Sequence, residues 1–203
     1  MEDIVEGRIG SWMQTSLGGK FFPLDPRPEE IFISDIANGL ALDCRYAGQG
    51  RVDRYYSVAE HSYHMAMYSY KTNGMPGLAL AILLHDAAEA YLNDLPRAVK
   101  LAAGDGYKGM EERLQLMICG KYQVLHTYLA RYAYIKDLDN RMVPLEKAAI
   151  LRHPQPWVSD RFQPLSGVEI RCFAPVVAKR LWLEAYFRFA SAFGNIPHEE
   201  IEV

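Results

Sequence analysis

Three short segments carry the side chains best suited to chemistry: Glu60-His61-Ser62, His85-Asp86-Ala87-Ala88-Glu89 and Lys136-Asp137-Leu138-Asp139. The second is the most informative. Leu80 to Leu84 precede it without a polar residue, so a helix through this stretch is expected to be buried. An uncompensated buried carboxylate is expensive. On a helix, Glu89 stands four residues after His85 and three after Asp86, which puts all three on neighbouring parts of one face. A divalent metal is the simplest partner for them; the plainer alternative is a hydrogen bond between His85 and Asp86 in the core. Asp139 also has apolar neighbours, Tyr134, Ile135, Leu138 and Met142, and His61 lies beside a helix start. His61, His85, Asp86 and Asp139 would form a mixed N/O site with room for water. Such a site suits one divalent ion such as Mn²⁺, Fe²⁺, Co²⁺, Ni²⁺ or Mg²⁺, rather than a closed structural Zn²⁺ centre.

The elements that must position these residues are helical. Ser34-Asp35 starts a short helix through Ala41. Ser57-Val58-Ala59-Glu60 fits a capping box and opens a helix to about Tyr70. The Ala- and Leu-rich stretch Gly77 to Tyr91 reads as one buried helix, broken by Asn93-Asp94-Leu95-Pro96. Further helices are expected over about Met110 to Lys121, Thr127 to Arg152 and Pro175 to Phe193, the last ending at Gly194. The first 33 residues are rich in turn formers and read as an irregular arm, with a short hairpin around Phe21-Phe22. The expectation is an all-α domain of about six helices: arm 1–33, helical core 34–152 holding the site, and C-terminal helix 175–194.

Composition sets the outer bounds. A chain of 203 residues, 50% hydrophobic and 23% charged, is expected to be a single domain, 1–203, with a sizeable core. A net charge of -3 argues against a general binder of polymeric nucleic acid. Three widely spaced cysteines, Cys44, Cys119 and Cys172, give no disulfide framework and fit reduced thiols in the cytoplasm. Met1 to Gly10 has no apolar core of a signal peptide, and Gly77 to Leu84 is too short to span a bilayer.

The order His61, His85-Asp86, Asp139 resembles the signature of the HD-domain metal-dependent phosphohydrolases. The phrase from His85 to Pro96 is similar to H-D-A-[AS]-E-x-x-x-x-D-[LI]-P of one branch, the bacterial 5′-deoxynucleotidases and phage dATP triphosphohydrolases. Tyr56 to Ser62 resembles that branch's V-[AS]-[EQ]-H-S motif, and the similarity runs from about Ile31 to Leu151.

The resemblance implies an HD-type helical bundle with His61, His85, Asp86 and Asp139 as ligands of one divalent ion (Mn, Co, Fe, Ni, Mg or Zn). It implies Glu89 and Asp94 as the acidic pair that orients water or protonates the leaving oxygen, with acid and base undivided between them. Arg45 matches an arginine beside the substrate phosphate and sugar, with Arg51 and Arg54 as rivals, and Lys100 fits a phosphate contact. Tyr107, Lys108 and Glu111 also resemble the branch. The expected activity is hydrolysis of the 5′ phosphate ester of (deoxy)nucleoside monophosphates. The alternatives are release of triphosphate from a dNTP, or a nucleotide-binding regulator without catalysis. A homodimer is the expected assembly.

Other residues read as structural. Glu60 fits a cap, Asp137 a solvated position, and His126, His153 and His198 isolated surface sites. His64 is a rival ligand three residues after His61. Trp182, Tyr186, Phe189 and Phe193 read as a core or dimer stripe.

Overall fold

The computed structural model describes residues 7–194; His198 lies outside them. In chain order, α1 covers Ile33–Leu42, α2 Val58–Asn73, α3 Pro76–Leu83, α4 Glu89–Leu92 and α5 Arg97–Lys121. Then follow α6 (Leu125–Ala130), α7 (Tyr132–Ile150) and α8 (Pro175–Phe193). A two-residue hairpin, β1 (Met13–Gln14) with β2 (Lys20–Phe21), is the sheet among the described residues. The all-α expectation therefore holds, with eight α-helices among the described residues rather than about six.

The apolar helix α3 is the centre of the molecule. It starts on Pro76, whose missing N–H is no loss at a first helical position, and every residue from Gly77 to Leu83 is buried. It packs chiefly between α2 and α8. From α8 it meets the expected aromatic stripe: Trp182, Tyr186 and Phe189 are buried, so they belong to the core rather than to a dimer face. Phe193, at the end of the stripe, is 42% exposed. Its ring closes over Gly77. The indole N–H of Trp182 donates to Ser62 Oγ at 3.0 Å, which fastens α8 to α2.

Three expected helices needed correction. Gly77 to Tyr91 is not one helix. It stops at Leu83, turns tightly through Leu84–Ala88 and resumes as α4. No glycine or proline marks that break; a side chain from α5 makes it. Gln115 Nε2 donates to Leu84 O at 2.7 Å, and Gln115 Oε1 accepts from Ala88 N at 3.1 Å. These bonds satisfy backbone groups that an uninterrupted helix would pair internally. The helix expected from Met110 begins at Arg97 instead, with a non-helical residue at Gly104 (φ 77°, ψ -169°). The stretch from Thr127 to Arg152 is two helices, α6 and α7, separated at Arg131 (φ -114°, ψ 12°).

The N-terminal arm is irregular but packed. Phe21 and Phe22 are buried, and Phe21 stacks on Tyr91 of α4 with centroids 4.3 Å apart. Asp35, in the first turn of α1, accepts from Ser16 Oγ at 2.6 Å and Leu17 N at 2.9 Å.

Helix α1 presses against α4 at Gly39. A Cβ there would lie 2.5 Å from Ala90 O and 2.8 Å from Ala90 Cα, both backbone atoms that cannot rotate away. Gly39→Ala is expected to destabilise the protein by about 1–3 kcal/mol despite the better helix propensity of alanine. Thermal or urea denaturation checks this, and an unchanged midpoint would refute the close approach.

Candidate functional site

The site is assembled from the start of α2, the turn between α3 and α4, and the middle of α7. Ser57 caps α2 by accepting Glu60 N–H at 3.1 Å, which fixes the first turn and with it His61. The return half of the capping box is absent. The Glu60 carboxylate instead accepts the backbone N–H groups of Arg171 (2.7 Å), Cys172 (2.9 Å) and Phe173 (2.6 Å). This gathers a loop in which Cys172 adopts a left-handed φ of 55°. Glu60 is thus a structural staple. His64 lies toward the same carboxylate, 3.3 Å away, rather than joining His61.

The tight turn between α3 and α4 aims His85 and Asp86 at His61. Ligand atoms of His61, His85 and Asp86 all lie within 4.8 Å of one another. His85 Nδ1 is 2.8 Å from Ile82 O. A carbonyl only accepts, so Nδ1 carries the proton and leaves the Nε2 lone pair free. His61 Nδ1 meets the Glu146 carboxylate at 2.5 Å, which likewise leaves Nε2 facing the site. Both Nε2 atoms are buried and form no well-aligned hydrogen bond, although Asp86 Oδ2 lies 3.0 Å from His85 Nε2 and Asp139 Oδ1 lies 3.4 Å from His61 Nε2. Buried polar atoms are nearly always satisfied, so two such atoms beside a carboxylate fit a divalent cation.

Asp139 comes into the site from α7. Its Oδ1 is 3.4 Å from His61 Nε2, and its Oδ2 accepts from Lys136 Nζ at 3.0 Å. It borders the trio His61, His85 and Asp86. Arg45 sits on the other side, with its guanidinium 3.7 Å from Asp86, 3.5 Å from Asp94 and 3.6 Å from Glu146. Of the rival arginines, Arg51 engages Asp53 at 3.0 Å and Arg54 touches Cys172, so Arg45 is the arginine the fold brings to the acids.

The backbone beside Arg45 is strained. Tyr46 (φ 58°) and Ala47 (φ 50°) are consecutive left-handed residues with side chains, followed by Gly48 (φ 69°). Each of the first two costs about 1–2 kcal/mol relative to ordinary backbone. Contacts that hold the turn include Arg45 N–H to Tyr56 O at 3.0 Å and Tyr46 OH to Glu146 at 2.5 Å.

Glu89 and Lys100 form a second group. Lys100 Nζ binds Glu89 Oε1 at 2.9 Å and Glu111 Oε1 at 2.5 Å. The cation expected to meet phosphate therefore pairs with the acid expected to move a proton. Glu89 Oε2 remains buried without a hydrogen bond. Tyr107 OH donates to Asn93 O at 2.9 Å and Leu92 O at 3.1 Å, steadying the turn that carries Asp94.

The electrostatics follow from this crowding. Burial and Arg45 oppose a charge on His61, but Glu146 and Asp139 outweigh them and push its pKa up to about 9, so a cation at Nε2 would displace the proton that faces Asp139. Burial raises Asp86, yet His85 and Lys136 prevail and hold it well below the usual carboxylate range. Burial, helped by Asp86 and Asp94, drives Glu89 far upward against Lys100 and Arg45. Burial also works against ionised Glu146, but Arg45 and His61 bring it down to about 2.

Sequence reasoning missed Glu146 and Asp43. Glu146 stands seven residues after Asp139, two turns along the same helix, and that spacing was the available signal. Asp43 follows α1 and accepts the backbone N–H of Asp94 at 2.6 Å. No local pattern announces it.

Residues 46–131 match the model of the HD-domain family. The matched segment contains His61, His85, Asp86, Glu89, Asp94 and Lys100, and ends before Asp139. An uncharacterized protein of Rhodobacter capsulatus is 43% identical over 108 residues, covering 51% of this chain and 54% of its own. The uncharacterized protein YfdR of Escherichia coli is 35% identical over 112 residues, covering 55% of this chain and 58% of its own. The chain thus spans between half and three-fifths of the length of these curated relatives. The segment that matches the HD-domain model also holds His61, His85 and Asp86, a cluster that could hold a metal ion. No helix among the described residues is long and apolar enough to cross a membrane.

Asp43 gives a pH test of the site's support. Burial pushes its pKa up from 3.8 to about 6, against the hydrogen bond it accepts from Asp94 N–H. The folded state therefore binds more protons than the unfolded state between these values, and this contribution to stability falls as pH rises through that window. Asp43→Asn keeps an acceptor for Asp94 N–H without the charge. It is expected to be more stable than wild type at pH 7, by about 1 kcal/mol after screening by solvent. The gain should vanish below pH 4. Melting curves from pH 3.5 to 7 check this, and a pH-independent difference would refute it.

Proposed function

We propose that this protein is a metal-dependent phosphohydrolase of nucleotides that cleaves the 5′ phosphate ester of (deoxy)nucleoside monophosphates. One observation carries the reading: the buried Nε2 atoms of His61 and His85 converge with the Asp86 carboxylate within metal-ligand spacing. His61, His85 and Asp86 would hold the ion, with Asp139 beside them. When bound, a divalent ion polarises a phosphoryl oxygen and lowers the pKa of a coordinated water toward neutrality.

The chain's own residues do the rest. Arg45, Lys100 and Lys136 border the acid cluster and offset charge spread over phosphoryl oxygens. Water attacks phosphorus, the bond from phosphorus to the 5′ oxygen breaks, and that oxygen must gain a proton. Glu89, with a free buried Oε2 and a pKa pushed upward, supports the role of proton donor. Asp94, 3.5 Å from Arg45, supports the role of orienting water. A cytoplasmic homodimer is the setting proposed for this activity.

Chromatography of products from all dNMPs, NMPs and dNTPs, with Mn²⁺, Co²⁺ or Mg²⁺, tests the reading against an Asp86→Asn control. Nucleoside plus orthophosphate from monophosphates is the expected result. Intact triphosphate would assign a dNTP triphosphohydrolase instead. Products equal to the control in every metal would overturn hydrolysis and favour a nucleotide-binding regulator. Glu89→Gln is expected to lower kcat by about 10²–10⁴-fold while keeping metal affinity; an unchanged kcat would remove Glu89 from the chemistry.

A further inference from the structure

Glu146 is fully buried on α7. Its Oε1 meets His61 Nδ1 at 2.5 Å and accepts from Tyr56 OH at 2.9 Å, while its Oε2 accepts from Tyr46 OH at 2.5 Å. The same Oε1 lies 3.6 Å from Arg45 Nε. Simple core packing does not account for this arrangement. A buried carboxylate with no task is easily replaced by an apolar side chain, whereas this one fixes the orientation of a single imidazole. The hydrogen bond to Nδ1 dictates which ring nitrogen carries the proton, and so which one faces the cluster. The two tyrosines approach from separate segments. Tyr56 immediately precedes the cap of α2, and Tyr46 lies in the strained left-handed turn after Arg45.

We propose that Glu146 is a positioning residue for the metal centre. Held by Tyr46 and Tyr56, it fixes His61 in the tautomer that presents Nε2 to the ion and, with the same Oε1 3.6 Å from Arg45 Nε, ties that ligand to the substrate-facing arginine. This rests on the metal-site reading above, with the ligands taken to be His61, His85 and Asp86. Carboxylates that orient a ligating histidine typically contribute 10–100-fold to metal affinity.

The test is direct metal binding, by chelator competition with Mn²⁺ and Zn²⁺, on wild type, Glu146→Gln and Tyr46→Phe/Tyr56→Phe. Glu146→Gln is expected to bind 10–100-fold more weakly, and the double Tyr→Phe variant several-fold more weakly. In the Zn²⁺-loaded protein, the His61 Nδ1–H proton resonance is expected far downfield, and to move upfield in both variants. A merely structural role would lower the melting temperature of the metal-free protein without moving that resonance or the affinity. Wild-type affinity in Glu146→Gln, or in the double variant should Glu146→Gln fail to fold, would overturn the inference while leaving the metal site intact. Absence of binding by wild type would instead overturn the metal-site reading on which the inference rests.

Discussion

The structure depends on keeping the charge of one carboxylate, Glu146, inside the protein. An isolated ionised group there would cost several kcal/mol. It is tolerated because two tyrosine hydroxyls and an imidazole donate to it and a guanidinium lies close by. These partners come from the turn at Tyr46, the approach to α2 and α2 itself, so one side chain on α7 gathers three remote parts of the chain. The strained pair Tyr46 and Ala47 persists because its neighbours over-determine it, as is common at functional sites.

Around that anchor the acids and cations alternate. Lys136 faces Asp139, Arg45 lies among Asp86, Asp94 and Glu146, and Lys100 bridges Glu89 and Glu111. Burial raises both Asp86 and Glu89, but His85 and Lys136 overcome it at Asp86 whereas Lys100 and Arg45 do not at Glu89, so the two are displaced in opposite directions. The imidazole Nε2 atoms of His61 and His85 face Asp86 and Asp139 without a well-aligned hydrogen bond. They are the unmet need of the cluster, and they supply the argument for a metal on the structure's own terms. The HD-domain match covers the segment holding both histidines, and the fold brings Asp139 and Glu146 to them from beyond it.

The break between α3 and α4 shows how chemistry and fold are joined. A continuous helix would space His85, Asp86 and Glu89 by helical geometry. Gln115 instead pairs with the backbone at Leu84 and Ala88. The turn then aims Asp86 toward His61 and Arg45, while Glu89 opens a new helix and meets Lys100. A site of this kind relies on a side chain 27 residues from the backbone it pairs with, at Ala88.

Much was legible in the sequence because the signals were local. The Ala- and Leu-rich stretch from Gly77, the Ser57 cap and Gly194 gave an all-α chain with α8 bounded as expected, and the buried helix carrying His85-Asp86 exposed the need for a partner. His85, Asp86 and Asp139 could be singled out because polar residues inside apolar helices are costly wherever they occur, and His61 because it stands beside a helix start. Only tertiary structure decided the rest. Gln115 splits a helix with no local breaker, Lys100 meets Glu89 and Glu111 within the protein, and Glu60 turns from its own helix to the backbone of Arg171 to Phe173. Glu146 finds its histidine 85 residues away. The physical reason is common to all four. Propensity and capping act within a few residues, whereas the partner of a buried polar group is whichever donor or acceptor the packed chain brings within about 3 Å.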